Sequence, residues 1–374
     1  MNGPGLFAND ERYMRLALAL GRRNLGATWP NPSVGAVVVE PTSGRILAQG
    51  ATAPGGRPHA EPTALAMAGA AARGAMLYVS LEPCAHHGRT PPCADAIVAA
   101  GLARVVSAMA DPDPRVADRG HARLRSGGIV VETGVLAEAA RRDHLGHVTR
   151  VVRKRPALHL KLAQTADGYG GRAGERLLIT GEGANARTHL MRAHADAVLV
   201  GIGTVLADDP RLDVRLPGLE VRSPVRIVVD RRLRLRARAR VLTGDGRTWV
   251  VCADDADIAA ERSLRDAGAE IIRVAAGPNG RWRLGAALTA LAERGLTRVL
   301  CEGGPSLAEA LARDDLLDEV TVITAALRLD KLGVHALRPG LAARLDESFQ
   351  LVGRDVVGPD RLDRYERKPC SPGS

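Results

Sequence analysis

His59 and Glu61 stand one residue apart, and Cys84, directly after Pro83, is separated from Cys93 by eight residues. His59-Ala60-Glu61 opens one expected helix and Cys93 opens another, so an imidazole and two thiolates can converge from two helix starts. One nitrogen and two sulfurs form a soft ligand set that suits zinc and leaves a fourth tetrahedral position for water. Water bound there has its pKa lowered to about 7, and the hydroxide can attack a ring carbon that carries an amine. Glu61 sits close enough to move the proton from water to the ring nitrogen and the leaving amine. Two plainer readings stay open. A structural zinc could close its fourth position with His86 or His87, or these residues could be core side chains that hold no metal. The presence of Glu61, an acid/base group beside the ligands, favours the open site.

A second group lies in the other half of the chain. Val299-Leu300-Cys301-Glu302-Gly303-Gly304-Pro305-Ser306 reads as a strand that runs through paired glycines into a helix, a place where free amides meet phosphate. A turn at Val200-Gly201-Ile202-Gly203-Thr204, leading to Asp208 and Asp209, also follows a strand. Neither has the G-x-G-x-x-G spacing of a dinucleotide fingerprint. Lys161 lies between apolar neighbours in Leu158-His159-Leu160-Lys161-Leu162-Ala163, in a chain whose basic residues are otherwise almost all Arg. It reads either as a selected point charge or as a snorkelling strand-edge lysine.

The elements that must position these residues fit two domains, because 374 residues exceed the usual ~100–200 per domain. Hydrophobic residues at 45% and charged residues at 25% are the balance of a folded protein. The first 13 residues include Asp10 and Glu11 and lack an apolar core, and no stretch approaches the ~18 apolar residues of a membrane span. A soluble, unexported, cytoplasmic protein is expected, with no membrane partner. The net charge is +10, yet 48 of the 52 basic residues are Arg and aromatic residues are 2% of the chain. With so few stacking platforms, a solvated basic surface is expected and no nucleic-acid partner. Five scattered cysteines make no disulfide framework and fit a reducing compartment.

Apolar periodicity predicts a helix over 11–20, a hairpin from Val34–Glu40 and Arg45–Gly50, and a helix over His59–Arg73. Then come a strand Met76–Ser80, a helix Cys93–Ala100, a strand Arg104–Met109, a helix near Gly120–Ser126 and a strand Ile129–Glu132. This alternation suggests a mostly parallel sheet with helices on both faces. Basic residues 141–156, ending at Pro156, mark the domain boundary near 150–155. Beyond it a second α/β pattern runs from a strand at Ala157–Ala163 to strands at Arg298–Cys301 and Glu319–Thr324.

Taken together, His59-Ala60-Glu61, Leu81-Glu82-Pro83-Cys84-Ala85-His86-His87-Gly88-Arg89-Thr90-Pro91-Pro92-Cys93 and Pro30-Asn31-Pro32-Ser33-Val34-Gly35 resemble the bifunctional riboflavin-biosynthesis deaminase/reductases. Their long cysteine loop departs from the shorter P-C-x-x-C of zinc base deaminases. The second half is similar to the reductase part of that family through Lys161, Thr165-Ala166-Asp167-Gly168, Leu178-Ile179-Thr180 and the two glycine turns. The resemblance implies an α/β fold in two domains: a cytidine-deaminase-like three-layer domain over 1–150 and a dihydrofolate-reductase-like domain over 155–370. It implies zinc on His59, Cys84 and Cys93, Glu61 as proton shuttle, and substrate contacts at Asn31, His86 and Arg89. It also implies NADPH contacts at Ala163, Thr204, Asp208, Gly303 and Gly304, and substrate contacts at Lys161, Arg192, Arg215 and Glu302. The implied partner is a small phosphoribosyl pyrimidine, in a homo-oligomer. Three features depart from or add to the pattern. Thr52 stands where many relatives place a His, Arg176 and Leu178 replace a usual Ser and Trp, and Arg231 with Arg232 could meet a 2′-phosphate. Two rival readings are a deaminase of nucleic-acid bases and a zinc-stabilised binding protein without catalysis.

Overall fold

The computed structural model describes residues 4–88, 90–172, 177–277, 282–329 and 333–369. It divides into two compact units, Met1–Lys154 and Arg155–Ser374. In chain order the first contains α1 (Pro4–Arg22), β1 (Gly35–Val39), β2 (Ile46–Ala51), α2 (Ala60–Ala68), β3 (Met76–Val79), α3 (Cys93–Ala100), β4 (Arg104–Ser107), α4 (Arg119–Ser126), β5 (Val130–Thr133), α5 (Ala137–Asp143) and α6 (Leu145–Arg153).

The sheet order is β2-β1-β3-β4-β5. β3, β4 and β5 are parallel, whereas β1 is antiparallel to both β2 and β3. The sheet is therefore mixed rather than mostly parallel. The tight β1–β2 turn reverses the chain, and α2 then crosses over β1 to bring in β3. Strand alternation loads both faces. Ala36 and Val38 bury against Ala60, Ala64, Ala94, Ile97 and Leu124, and Val37 and Val39 join the cluster of Met14, Ala17, Leu18 and Ala140 on the other face. Three layers result. Arg104 at the head of β4 ties the sheet to α1, forking onto Asp10 of α1 at 2.7 and 2.9 Å and onto Glu132 of β5 at 2.7 and 3.0 Å. The basic stretch over 141–156, with the boundary expected near 150–155, is helical up to Arg153, and the two units divide after Lys154. Its charges sit outside while His144 and His147 face in: His144 contacts the Ser80 hydroxyl and His147 contacts Asp111 at 2.8 Å.

The second unit contains β6 (Ala157–Gln164), β7 (Tyr169–Gly171), α7 (Glu182–Ala193), β8 (Ala197–Gly201), α8 (Ile202–Asp208), β9 (Val225–Val229), β10 (Thr248–Ala253), α9 (Ile258–Asp266), β11 (Ala269–Val274), α10 (Leu284–Glu293), β12 (Arg298–Cys301), α11 (Pro305–Arg313), β13 (Glu319–Thr324), β14 (Val334–His335), α12 (Pro339–Ser348), β15 (Phe349–Val357) and β16 (Asp360–Arg367). Nine strands form one sheet in the order β11-β10-β9-β8-β12-β6-β13-β16-β15, and β7 pairs with β14 separately. From β11 to β13 every neighbouring pair is parallel, so the carboxyl ends of seven strands share one edge, where open α/β sheets bind ligands. Two buried aspartates set the register at the opposite edge. Asp196 accepts from the amides of Thr297 and Arg298 at 2.6 and 2.9 Å, and Asp318 accepts from Arg155 at 2.5 and 2.9 Å. Residues 202–208, expected as part of a turn, form α8, with Ile202 and Val205 buried against Val200 and Leu235.

Candidate active sites

The first site is assembled where α2 and α3 begin. His59 caps α2 and Cys93 is the first residue of α3, while Cys84 follows the buried Leu81-Glu82-Pro83 segment. His59 Nδ1 lies 3.3 Å from Cys93 Sγ and 3.8 Å from Cys84 Sγ. Zinc bonds of about 2.0–2.3 Å at tetrahedral angles would separate such ligands by about 3.5–3.8 Å, so the three residues fit the metal. The electrostatics agree. The Cys84 thiol is pulled down to about 4, first by its hydrogen bond with Cys93 and also by His59. Glu61 is 3% exposed, and its carboxyl is pushed up to about 7 by burial and by the neighbouring Cys84 thiolate. Proton transfer near neutral pH asks for that range.

Among the described residues a second trio, Glu82, Asp118 and His121, also brings three potential ligand atoms together. Its chemistry is already used. Glu82 accepts from the backbone amides of Asp111 and Asp118 at 3.1 Å each, Gly120 at 2.9 Å and His121 at 3.2 Å. This buried carboxylate clamps the start of α4 and the loop before it onto the segment that delivers Cys84. A side chain at Gly120 would overlap the Pro83 carbonyl, so the clamp requires glycine there.

Around the site, the Asn31 amide donates to the Gly56 carbonyl at 2.9 Å. His86 is half-buried, and its Nδ1 has no partner among the described residues. Arg89 lies outside the described residues. Thr52 is buried, and its hydroxyl accepts the Val34 amide at 3.0 Å. Its hydroxyl serves the sheet.

The second site gathers at the carboxyl edge of the large sheet. Lys161 lies on β6, Glu302 directly follows β12, and Arg192 reaches in from α7. Arg192 forks onto the Glu302 carboxylate at 2.6 and 2.9 Å and donates to the Asp213 carbonyl at 2.9 Å. Burial disfavours the ionised Glu302 carboxyl, but Arg192 and Lys161 outweigh it and hold the group below the usual carboxylate range. Burial, helped by Arg192, lowers the Lys161 ammonium, against Glu302. Lys161 is partly buried on a strand inside the sheet and feels the Glu302 charge, so it is not a snorkelling edge lysine. Arg215 is exposed and pairs with Asp213. Beside this cluster the Thr204 hydroxyl accepts the Gly304 amide at 3.2 Å, stitching the turn after β8 to the turn before α11. A side chain at Gly303 would press on Leu307. The result is a pair of close-set backbone turns held together at the start of α11. Ala163 sits on β6 toward its carboxyl end, and Asp208 is the last residue of α8. Leu178 is 80% exposed, Arg231 and Arg232 are exposed, and Arg176 lies outside the described residues.

Residues 156–340 match the model of the RibD C-terminal domain, and residues 8–109 match that of the cytidine and deoxycytidylate deaminase zinc-binding region. The riboflavin biosynthesis protein RibD of Aquifex aeolicus is 38% identical over 355 residues, covering 93% of this chain and 97% of that protein. The chain belongs to the RibD family. RibD of Escherichia coli is 39% identical over 371 residues, covering 94% of this chain and 97% of its own length. One crystal form of Acinetobacter baumannii RibD superposes with a TM-score of 0.86 at 32% identity, over 97% of this chain and 100% of that one. A deaminase/reductase from Thermotoga maritima gives 0.83 at 33% identity, over 97% and 99%. The chain is accordingly a bifunctional riboflavin-biosynthesis enzyme, a zinc deaminase followed by an NADPH reductase.

Sequence reasoning singled out Lys161, Arg192, Arg215 and Glu302 in this RibD chain but missed His189 and Asp213, which the structure places among them. It also passed over Glu82 as a structural anchor. His189 stands three residues before Arg192 on α7, and that spacing was the available signal.

Proposed function

We propose that the first unit hydrolyses the ring amine of diaminohydroxyphosphoribosylaminopyrimidine and that the second reduces the resulting 5-amino-6-(5-phosphoribosylamino)uracil. These are the substrates in the name of the Thermotoga maritima relative. The observation that carries this reading is one chain holding both a His59–Cys84–Cys93 ligand set beside buried Glu61 and a Lys161–Arg192–Glu302 cluster beside paired glycine turns.

His59, Cys84 and Cys93 hold zinc, which supplies Lewis-acid activation of water when bound. Glu61 would take a proton from the attacking water as the water oxygen adds to the amine-bearing carbon. It passes the proton to the ring nitrogen, then helps protonate the departing ammonia as the carbonyl forms. Asn31, His86 and Arg89 orient the substrate, and a guanidinium at 89 suits its phosphate.

In the second unit Thr204, Asp208, Gly303 and Gly304, with Ala163 of β6, hold NADPH, which supplies a hydride when bound. Lys161, Arg192, Arg215 and Glu302 hold the phosphoribosyl group so that its first ribosyl carbon takes the hydride. The ring oxygen takes a proton as that C–O bond breaks, leaving an open ribityl chain. Leu351, Val352 and Val356, exposed on the edge strand β15, support a homo-oligomer. Among the described residues no helix is long and apolar enough to cross a membrane, and we place the enzyme in the cytoplasm.

The test is to incubate zinc-loaded protein with the diaminopyrimidine and NADPH, following ammonia and NADPH in one sample. Ammonia release followed by NADPH oxidation supports the reading. Ammonia alone would remove the reductase assignment, and neither signal would show that the scaffold serves another substrate.

A further inference from the structure

His189 lies on the same face of α7 as Arg192, one turn earlier. Both side chains grip the backbone of segment 211–215: Arg192 donates to the Asp213 carbonyl at 2.9 Å, and His189 Nδ1 accepts the Arg215 amide at 3.2 Å. The segment needs holding. Leu212 is buried with φ at +56°, a left-handed conformation that costs a leucine energy. Arg211 and Arg215 both pair with Asp213 from either side.

We propose that His189 is a positioning residue of the reductase site. Acting as a neutral hydrogen-bond acceptor, it fixes the segment that aims Arg215 at the substrate phosphate. This rests on Arg215 being a substrate contact, as assigned above. With Nδ1 accepting, the imidazole proton sits on Nε2. Protonation would turn Nδ1 into a donor facing another N–H, and the bond would be lost. The charged groups facing His189 are Arg192 on its own helix, Asp213 and Arg215 on the segment and Glu302 after β12. Burial and the two arginines hold its pKa below the ordinary histidine value, against the two carboxylates, so the acceptor form prevails near neutral pH.

The experiment uses the full chain and measures reduction of 5-amino-6-(5-phosphoribosylamino)uracil between about pH 5 and pH 8. Wild type, His189→Leu, His189→Asn and Arg215→Ala are compared, with the denaturant midpoint of the second unit reporting that its fold is intact. His189→Leu removes the acceptor and should raise KM about five- to tenfold, the effect of losing one positioning hydrogen bond, with kcat within about twofold. His189→Asn puts an amide oxygen near the place of Nδ1, so its KM should match wild type at neutral pH. It should not share the additional rise in KM that wild type shows as the imidazole protonates. Titration of the substrate phosphate near pH 6 is common to all four proteins and cancels in the ratio.

An acid rise in His189→Asn equal to that of wild type would overturn the proposal, as would an unchanged KM in His189→Leu alongside a raised KM in Arg215→Ala. An unchanged KM in Arg215→Ala would remove the substrate contact itself and the positioning role with it. The two failures are therefore distinguishable.

Discussion

The two sites of this chain are built by opposite means. In the first unit two ligand atoms come from helix starts and a third from the segment at Cys84, and one buried carboxylate, Glu82, clamps the backbone beside it through four amides. In the second the charges are collected from Lys161 on β6, Arg192 on α7 and Glu302 after β12, and only the parallel order of the sheet brings them together. A ligand set lacking one member cannot hold a tetrahedral metal well, whereas a charge cluster lacking one member keeps its others. Damage to the first site should therefore act through loss of the metal, and damage to the second through the stability of its unit and its hold on the substrate.

The largest effect is expected from Cys84→Ser. A hydroxyl is a poor substitute for a thiolate at zinc, so purified protein should carry far less than one zinc per chain and release no ammonia above background. NADPH oxidation with the deaminated intermediate should continue. Metal analysis and the two assays together check this, and full zinc occupancy in the variant would contradict the ligand assignment.

A smaller but still severe effect is expected from Arg192→Met, which leaves the buried Glu302 carboxylate with only Lys161 for charge. Breaking a buried pair in this way costs ~3–5 kcal/mol, so the second unit should unfold earlier in denaturant and lose reductase activity while ammonia release persists. Adding Glu302→Gln should recover much of the stability but none of the reduction. The sign of the pH dependence follows. The Glu302 carboxyl is held below its ordinary value in the folded chain, so its contribution is complete above about pH 4.3 and fades as pH falls further. The double variant should be less acid-sensitive in this unit than wild type.

The mildest is Gly120→Ala. The added methyl meets the Pro83 carbonyl and must push apart the clamp beside Cys84. About 1–3 kcal/mol of destabilisation is expected, confined to the first unit, with weakened zinc retention. Thermal melts with and without added zinc would show it, and an unchanged melt would mean that this backbone yields freely.

The contrast between the sites also explains what could be read from sequence. His59, Glu61, Cys84 and Cys93 were legible because their chemistry is rare and their spacing short, and α3 was placed at Cys93–Ala100. Most central strands were legible too, since β8, β9 and β10 are almost continuous apolar runs. The outer elements were not. In β15 and β16 charge obscures the strand pattern, and cross-strand pairs such as Arg354–Asp363 and Arg364–Asp355 satisfy it only once the hairpin exists. Basic residues hid α5 and α6 in the same way. Asp213 escaped because it joins the second site through its backbone carbonyl, which no residue spacing announces, whereas the i,i+3 spacing of His189 and Arg192 was a signal left unused. Glu82 escaped because its partners are amides, which carry no sequence identity.

The central claim, two separate sites used in succession, is tested most directly by Glu61→Gln given each substrate in turn. With the diaminopyrimidine this variant should retain zinc, release ammonia ~10²–10⁴-fold more slowly than wild type, and show NADPH oxidation slowed in proportion. With the deaminated uracil it should oxidise NADPH at the wild-type rate. Wild-type ammonia release would contradict the role of Glu61, and lost NADPH oxidation on the deaminated substrate would contradict the separation of the sites.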